Sequence, residues 1–558
     1  MAPTLTTLPH EVMRKIAGFL VGAEHWNKDV VRNFNGYNNS VAQYATISKE
    51  WQEVLESFTF KNLHLTFFRI PQAAVILTAR RRKFIHHIIL DIVLPRCDMV
   101  ACYHMENAVE KARNSQIADY VVSSLFNLLL STWKKEEVRA SGIELVIGAF
   151  SPSDNLCTSL YNSEPDQSSD DDDDAADDDD STGIIRGNLN KRFEGSFLSL
   201  STPLPQAECV SRFTIGRYTS MRNFSSHSYW SLLRALPNLE TLELDTWEIQ
   251  HPQPIHREGS CIAHLNTYKV EANWIIAYLG FLSSIPPALK VLRFSFTDFT
   301  HNQPCFWPRW DIDYLGYIRQ MTKDGRDVLS CTLREVSYGL TTLQIRGPIG
   351  PQFFWPPEGS EEDIPYWPNL KSLGAFIYFY LPGGTWLFEH VGGSGDGVAC
   401  DKCFWETNED SLNELYSTVA RSVHRMPKLE VLALRTVLEA WIFHDFRFQV
   451  IGRRAFLGWR STPMFHPSDE VLRLWEEVAD SRGLKLDVII IRARAADTND
   501  DQSGTRFMED YESEKYCFGW GDAGEASEVG DDEDSESDES SADEDSESSG
   551  SDDAEMSG

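Results

Sequence analysis

Basic residues are scarce: 51 Lys and Arg face 84 Asp and Glu, a formal charge of −33 over 558 residues. The imbalance is local. Residues 164–180 carry 11 acids and no base, and residues 521–558 carry 17 acids and no base. Without those 28, the chain holds 56 acids against all 51 bases, about −5. A near-neutral body without clustered Lys/Arg is a poor candidate for direct nucleic-acid binding, which needs such clusters to displace counterions. Long apolar runs are also missing. The longest, near 120–133 and 274–285, are too short and too interrupted by Ser to span a bilayer, so no membrane association is expected. The start, MAPTLTTLPHEV, has neither a basic nor an apolar leader region, and no secretory signal is expected. The ten Cys fall at irregular spacing, which suits a reducing compartment and gives no disulfide framework. A cytoplasmic or nuclear protein is expected.

Recognisable catalytic chemistry is absent too. Cys400 and Cys403 form one CxxC, but a structural zinc site needs four ligands, and Cys97, Cys102 or His390 could complete it only by accident of fold. The loop GGSGDG at 392–397 has no Lys and opens no clear helix, so it fails as a phosphate cradle. No Ser/His/Asp or Cys/His arrangement emerges from spacing. The sequence therefore implies no catalytic residue, no metal and no cofactor, and reads as a non-enzyme. The patch Arg80-Arg81-Arg82-Lys83 is either a solvated helix end or a short nuclear-import signal.

What is present is strongly patterned. The two acidic tracts repel themselves and cannot bury enough apolar surface to fold, so the sequence predicts a disordered insertion and a disordered tail. Ten Ser lie in the tail, and Ser168, Ser169, Ser535 and Ser541 each have an acid three residues on, the context of an acidophilic kinase. The tracts read either as solubilising segments or as a docking surface for basic proteins such as histones.

Residues 8–20 read LPHEVMRKIAGFL. Pro9 suits a first helical position, Glu11 faces the positive end of the helix dipole, and Val12, Ile16, Phe19 and Leu20 make one apolar stripe. A second helical pattern takes in Val41, Tyr44, Ala45, Ile47, Trp51, Val54 and Leu55, and an extended piece at 58–65 closes the module. So small a helical unit has a meagre core, and a partner covering its stripe makes physical sense. The LPxEV opening, ISKEW and the closing NLHL resemble the F-box family, which binds the Skp adaptor of cullin–RING ubiquitin ligases. The resemblance implies that Leu8, Pro9, Val12, Ile16 and Leu20 face the adaptor or the motif's own core, with Ile47 and Trp51 completing it. It also implies a loop insertion over 21–40.

Downstream a phrase recurs: LPNLETLEL at 236–244, PPALKVLRF at 286–294, WPNLKSLGA at 367–375 and MPKLEVLAL at 426–434. Leu340, Leu343 and Ile345 give a copy without the Pro. L-x-x-L-x-L is the strand signature of a leucine-rich repeat, and the Pro ends the preceding helix. Helical patterns lie between copies, at 228–236, 273–285 and 410–426. Strands are expected at 85–94 and 143–150 around an amphipathic stretch at 105–133, and a buried parallel strand at 484–491 after a helix at 471–481. The predicted class is α/β: an N-terminal helical F-box, then an irregular leucine-rich-repeat-like solenoid of parallel strands with outer helices. Its divisions are 1–65 (head), 66–155 (first α/β repeats), 156–190 (acidic insertion), 191–495 (repeat body with aromatic loops), 496–520 (extension) and 521–558 (acidic tail). The combination resembles F-box proteins of the filamentous-fungal type.

Aromatic-rich loops at 299–310, 349–368 and 379–405 either pack as lids or form a recognition surface. Trp307, Trp310, Trp355 and Trp386 are the candidate substrate-binding residues. Two functions follow: a substrate receptor docking the Skp adaptor, and through it cullin, while presenting an unknown protein substrate; or an acidic-tailed scaffold or chaperone for basic proteins. The scaffold reading predicts that histones bind in pull-downs at low salt, and that deleting 521–558 abolishes the capture.

Overall fold

The repeated phrases all become strands. The computed structural model describes residues 8–21, 44–97, 101, 106–154, 196–215, 222–247, 285–297, 322–323, 326–347, 349–357, 364–379, 381, 385–391, 404–439 and 442–492. All belong to one unit, Met1–Met508. Both acidic tracts, the extension at 496–520 and the helical pattern at 273–284 lie outside the described residues, as do Trp307 and Trp310.

One twelve-stranded sheet runs in chain order: β1 (Asn62–Thr66), β2 (His87–Val93), β3 (Ile143–Phe150), β4 (Val210–Ile215), β5 (Thr241–Trp247), β6 (Val291–Thr297), β7 (Thr342–Gly347), β8 (Ser372–Ile377), β9 (Val431–Glu439), β10 (Ile442–Ile451), β11 (Arg454–Thr462) and β12 (Lys485–Arg492). From β1 to β9 every pairing is parallel. The phrases align without slippage, so Leu242, Leu292, Leu343, Leu373 and Leu432 share one rung. Leu244, Phe294, Ile345, Ala375 and Leu434 share the next, and all ten are buried. Side chains alternate across a strand, so this face is continuous while the intervening residues point to the other side. Just before each strand one backbone N–H reaches the preceding repeat: Lys290 to Glu240, Thr341 to Lys290, Lys371 to Thr341 and Glu430 to Lys371, each 2.8 Å.

Helices cover the Leu face: α5 (Ala108–Leu128), α6 (Ser226–Arg234), α7 (Val328–Ser337), α8 (Pro351–Phe354), α9 (Glu409–Val423) and α10 (Asp469–Ser481). Their apolar residues join the strands in one core; Phe126, Leu232, Leu333, Phe353, Tyr416 and Trp475 are all within it. The longer helices start on side-chain caps that satisfy orphan N–H groups: Asn107 of a capping box, then Ser225, Asp327, Asn408 and Ser468.

The sheet departs from the expected parallel order at its far end. β9, β10 and β11 pair antiparallel. Two residues separate each pair, too few for a parallel crossover, and Gly452 takes a left-handed φ of 61° in the second turn. β12 returns to parallel pairing with β11. It is not the buried strand that its apolar run predicts. It is the sheet edge, and Val488, Ile490 and Ile491 are exposed. Likewise, the extended piece expected to close the head is β1, the first strand of the main sheet. Among the described residues no helix is long and apolar enough to cross a membrane.

The segment after residue 196 is tied to α5. Asp119 accepts bonds of 2.7–3.2 Å from the backbone and hydroxyl groups of Ser201 and Thr202. Burial alone would raise its pKa, but those bonds outweigh it and hold the carboxyl below its usual range. Arg222 lies buried between Glu106 (2.5 Å) and Asp154 (2.9 Å), both also buried. Replacing Arg222 leaves two buried carboxylates without their cation. The expected cost of Arg222→Met is about 3–5 kcal/mol, read as a lower urea midpoint at pH 7, and adding Glu106→Gln and Asp154→Asn restores part of it.

Candidate functional site

The head is two helices, α1 (His10–Val21) and α2 (Lys49–Thr59). The Pro9 carbonyl accepts from Met13 N–H, placing Pro9 at the N-cap, and the Ser48 hydroxyl accepts from Trp51 N–H at 3.2 Å to open α2. Met13, Ala17, Trp51, Val54 and Leu55 form a core separate from that of the sheet, with Leu8, Ile16, Ala45 and Phe58 packed against it. Among the expected adaptor contacts, Trp51 (2% exposed) therefore belongs to the head's own core, and Leu8 and Ile16 border it. Pro9, Val12 (38% exposed) and Ile47 (43%) face outward. The Leu20 side chain lies outside what is described. Two further apolar side chains share the exposure: Phe19 (72%) and Tyr44 (36%). Phe19 follows from the helical stripe; Tyr44 sits on a short turn before α2, where helical periodicity gives no guide to its direction.

The basic patch turns out to join the head to the body. Arg80 and Arg81 of α4 (Ala79–Arg82) both bind Glu56 of α2, Arg81 through Nε (3.1 Å) and Nη2 (2.7 Å). The Arg81 guanidinium also lies 5.1 Å over the Phe60 ring, while Arg82 binds Glu137 at 2.5 Å. Burial would raise the Glu56 pKa, but hydrogen bonds from Arg81 and Gln52 and the charges of Arg81 and Arg80 outweigh it and hold it below its ordinary 4.5.

The body offers two further surfaces. On the helix side, Trp355, Arg421, His424, Arg425, Leu474 and Glu477 line an open cleft of about 460 Å³. On the opposite side of the sheet, the residues that alternate with the leucines include Arg293, Arg346, Arg435, Arg447 and Arg460, with Arg293 3.6 Å from Glu243 and Arg435 3.4 Å from Asp445. None of these Arg was singled out from sequence, although the alternation of a strand assigns each to the face away from the leucines. Of the candidate tryptophans, Trp355 borders the cleft, while Trp386 packs at 5.5 Å on Phe379 as part of the core margin. Trp386 is not among the residues that line the cleft, and Trp307 and Trp310 lie outside the described residues. Cys400, Cys403 and the 392–397 loop lie outside the described residues. Among the described residues no group of three or more His, Cys, Asp or Glu could hold a metal ion.

Residues 399–509 match a protein family described as a family of unknown function (DUF6546). The match covers about a fifth of the chain. It includes α9, the antiparallel strands, α10, β12 and five of the six cleft residues. No curated protein matches the chain.

The head–body joint is testable. Glu56→Ala should cost about 1.5–3 kcal/mol, the range of a hydrogen bond to a charged group. Hydrogen exchange should rise in α1 and α2 and stay unchanged in β5–β9. Because the Glu56 pKa is lowered on folding, its contribution is present above pH 4.5 and is lost as pH falls through the lowered value.

Proposed function

We propose that the chain is a substrate-receptor subunit of an SCF-type cullin–RING ubiquitin ligase, an F-box head carrying a leucine-rich-repeat-like body. The observation that carries this reading is the exposure of apolar side chains on the head: Pro9, Val12, Phe19, Tyr44 and Ile47 stand outward, while the described residues of the head bury five apolar side chains in a core of their own. Apolar side chains grouped on so small a unit are accounted for by a partner that covers them. The resemblance of LPxEV and ISKEW to the F-box names that partner as the Skp adaptor. In-register Leu rungs support the repeat reading of the body.

The mechanism is proximity. The adaptor and cullin hold the charged conjugating enzyme, the body holds the target, and the effective concentration of a target lysine rises without any bond chemistry by this chain. The joint through Glu56 matters here, because a head fixed to the body fixes the distance between target and enzyme. The alternative reading, an acidic-tailed scaffold for basic proteins, rests on tracts outside the described residues.

Purified full-length protein should co-elute with a Skp-type adaptor in size-exclusion chromatography. Val12→Asp with Ile47→Asp should weaken that complex at least 30-fold while circular dichroism and the melting temperature stay at wild-type values. Failure of the wild type to bind the adaptor would sink the proposal.

A further inference from the structure

Helix α9 ends in two arginines whose guanidiniums have no carboxylate partner among the described residues. Arg421 lies in the last turn and Arg425 one turn on, just past the cap at His424, and both are exposed. Cations at a helix C-terminus commonly satisfy its last carbonyls. Here another residue fills that role. Arg482 donates to the carbonyls of Val423 (2.7 Å), Met426 (2.6 Å) and Leu429 (3.0 Å). Arg421 and Arg425 are left over, and both line the open cleft of about 460 Å³.

The rest of the cleft is supplied by Trp355, just past α8, and by Leu474 and Glu477 of α10. Phe353 and Phe354 are fully buried in the core, but Trp355 is only half-buried and stands outside it. Its indole makes no ring stack and no hydrogen bond among the described residues. Glu477 is paired with Arg473, so its charge is already met. His424 meets the Ser481 hydroxyl through Nδ1 at 3.4 Å. Burial and the charges of Arg482 and Arg425 outweigh Glu477 and hold His424 below its ordinary 6.5, so the ring is largely neutral at pH 7. With Glu477 matched by Arg473, the cleft carries a surplus of two positive charges beside an indole and a leucine.

We propose that this cleft docks a short extended segment of the protein presented to the ligase, with two carboxylates and one large apolar side chain at alternate positions; the inference rests on the receptor reading above and gives it a target chemistry. Charge complementarity selects the occupant. Residues one helical turn apart have Cβ atoms about 5–6 Å apart. Alternate residues of an extended chain are about 7 Å apart on one face, so each carboxylate meets one planar guanidinium fork. Trp355 and Leu474 cover the apolar side chain, and Trp with Arg is the pairing that dominates protein interfaces. A cleft of about 460 Å³ takes a few residues and not a folded surface. Nucleic acid is disfavoured, because two cations release few counterions and the Glu477 carboxylate would face the phosphates. Affinity falls with salt, because Arg421 and Arg425 are exposed.

The test is fluorescence anisotropy on the full chain with a labelled peptide, Glu-Ser-Glu-Ser-Phe flanked by Gly and Ser. Wild type should bind, and binding should weaken as salt rises. Arg421→Met with Arg425→Met should weaken it about tenfold or more, the scale of a lost hydrogen bond between charged groups. Both side chains are exposed, so the melting temperature should not change and misfolding is told apart from lost recognition. Trp355→Ala should weaken binding about fivefold or more. A peptide with Ser in place of Phe should show the same loss on wild type and no further loss on Trp355→Ala. Arg113→Met, on the exposed side of α5, should bind as wild type does. Five results overturn the inference: no binding at low salt, equal loss in the Arg113 variant, equal affinity for the Phe and Ser peptides, tighter binding of a single-stranded oligonucleotide of matched charge, or binding that appears only after the acids at 164–180 or 521–558 are changed to amides. The last would mean that the chain's own tract fills the cleft. Val12→Asp with Ile47→Asp should leave the peptide affinity unchanged, so failure of the adaptor reading and failure of this one are read separately.

Discussion

A parallel strand joined to the next by an outer helix cannot bury its apolar face alone, and everything in this body follows from that constraint. Each strand needs a neighbour in register, because a slip of one residue would turn its leucines to the opposite face. The phrase Pro-x-Leu-x-x-Leu-x-apolar meets the need locally. Its first Leu, as at Leu239, Leu289, Leu370 and Leu429, is buried at the turn, and the next two enter the rungs. The register is fastened at the turn by the N–H of the residue before each strand. Ion pairs follow the same line: Lys290 with Glu240 at 3.1 Å, and Lys371 with Glu430 at 3.6 Å. Both pairs are solvent-exposed, so their role lies in register more than in stability.

Much of this was legible in the sequence. The strand at 143–150 has the bounds expected of it, and the repeated phrases lie parallel in one sheet. Leu-rich alternation is a local signal and survives long intervening insertions. The antiparallel pair β10 and β11 was not legible, because its strands carry Phe, Arg, Trp and His where a repeat would carry Leu, and because pairing direction depends on connection length. The exposure of β12 was hidden for a related reason. A run of Val and Ile reads as buried on both faces, but position at the end of a sheet is not written in the strand that occupies it.

For the candidate surfaces, legibility divides by distance along the chain. The apolar ridge of α1 repeats every turn, so Val12 and Phe19 are visible to anyone counting residues. The joint is not. Glu56 and Arg80 are 24 residues apart, and nothing in either segment announces the other. Four consecutive basic residues read as solvated charge or as a signal, yet Arg80 and Arg81 together bind one carboxylate. That bond also sets where the head can stand. β1 follows α2 almost at once, so the head is tethered to the first edge of the sheet by chain and to α4 by charge.

A stack of parallel strands has no intrinsic end, and an exposed edge invites pairing with another chain. At the far edge the chain ends the repeat by reversing direction. β9, β10 and β11 make the longest pairings of the sheet, and the core beneath them changes from leucine to rings. Tyr416 lies 4.6 Å from Phe446 and 5.7 Å from Trp459, and Trp475 lies 5.4 Å from Phe446. These rings, Tyr416 from α9 and Trp475 from α10, pack directly onto those of the reversed strands. The segment matched by the family of unknown function spans this terminating unit and takes in one Leu phrase, that at 426–434. Three of the cationic side chains of the opposite face, Arg435, Arg447 and Arg460, come with it, because the reversal that closes the core also sets β9, β10 and β11 side by side.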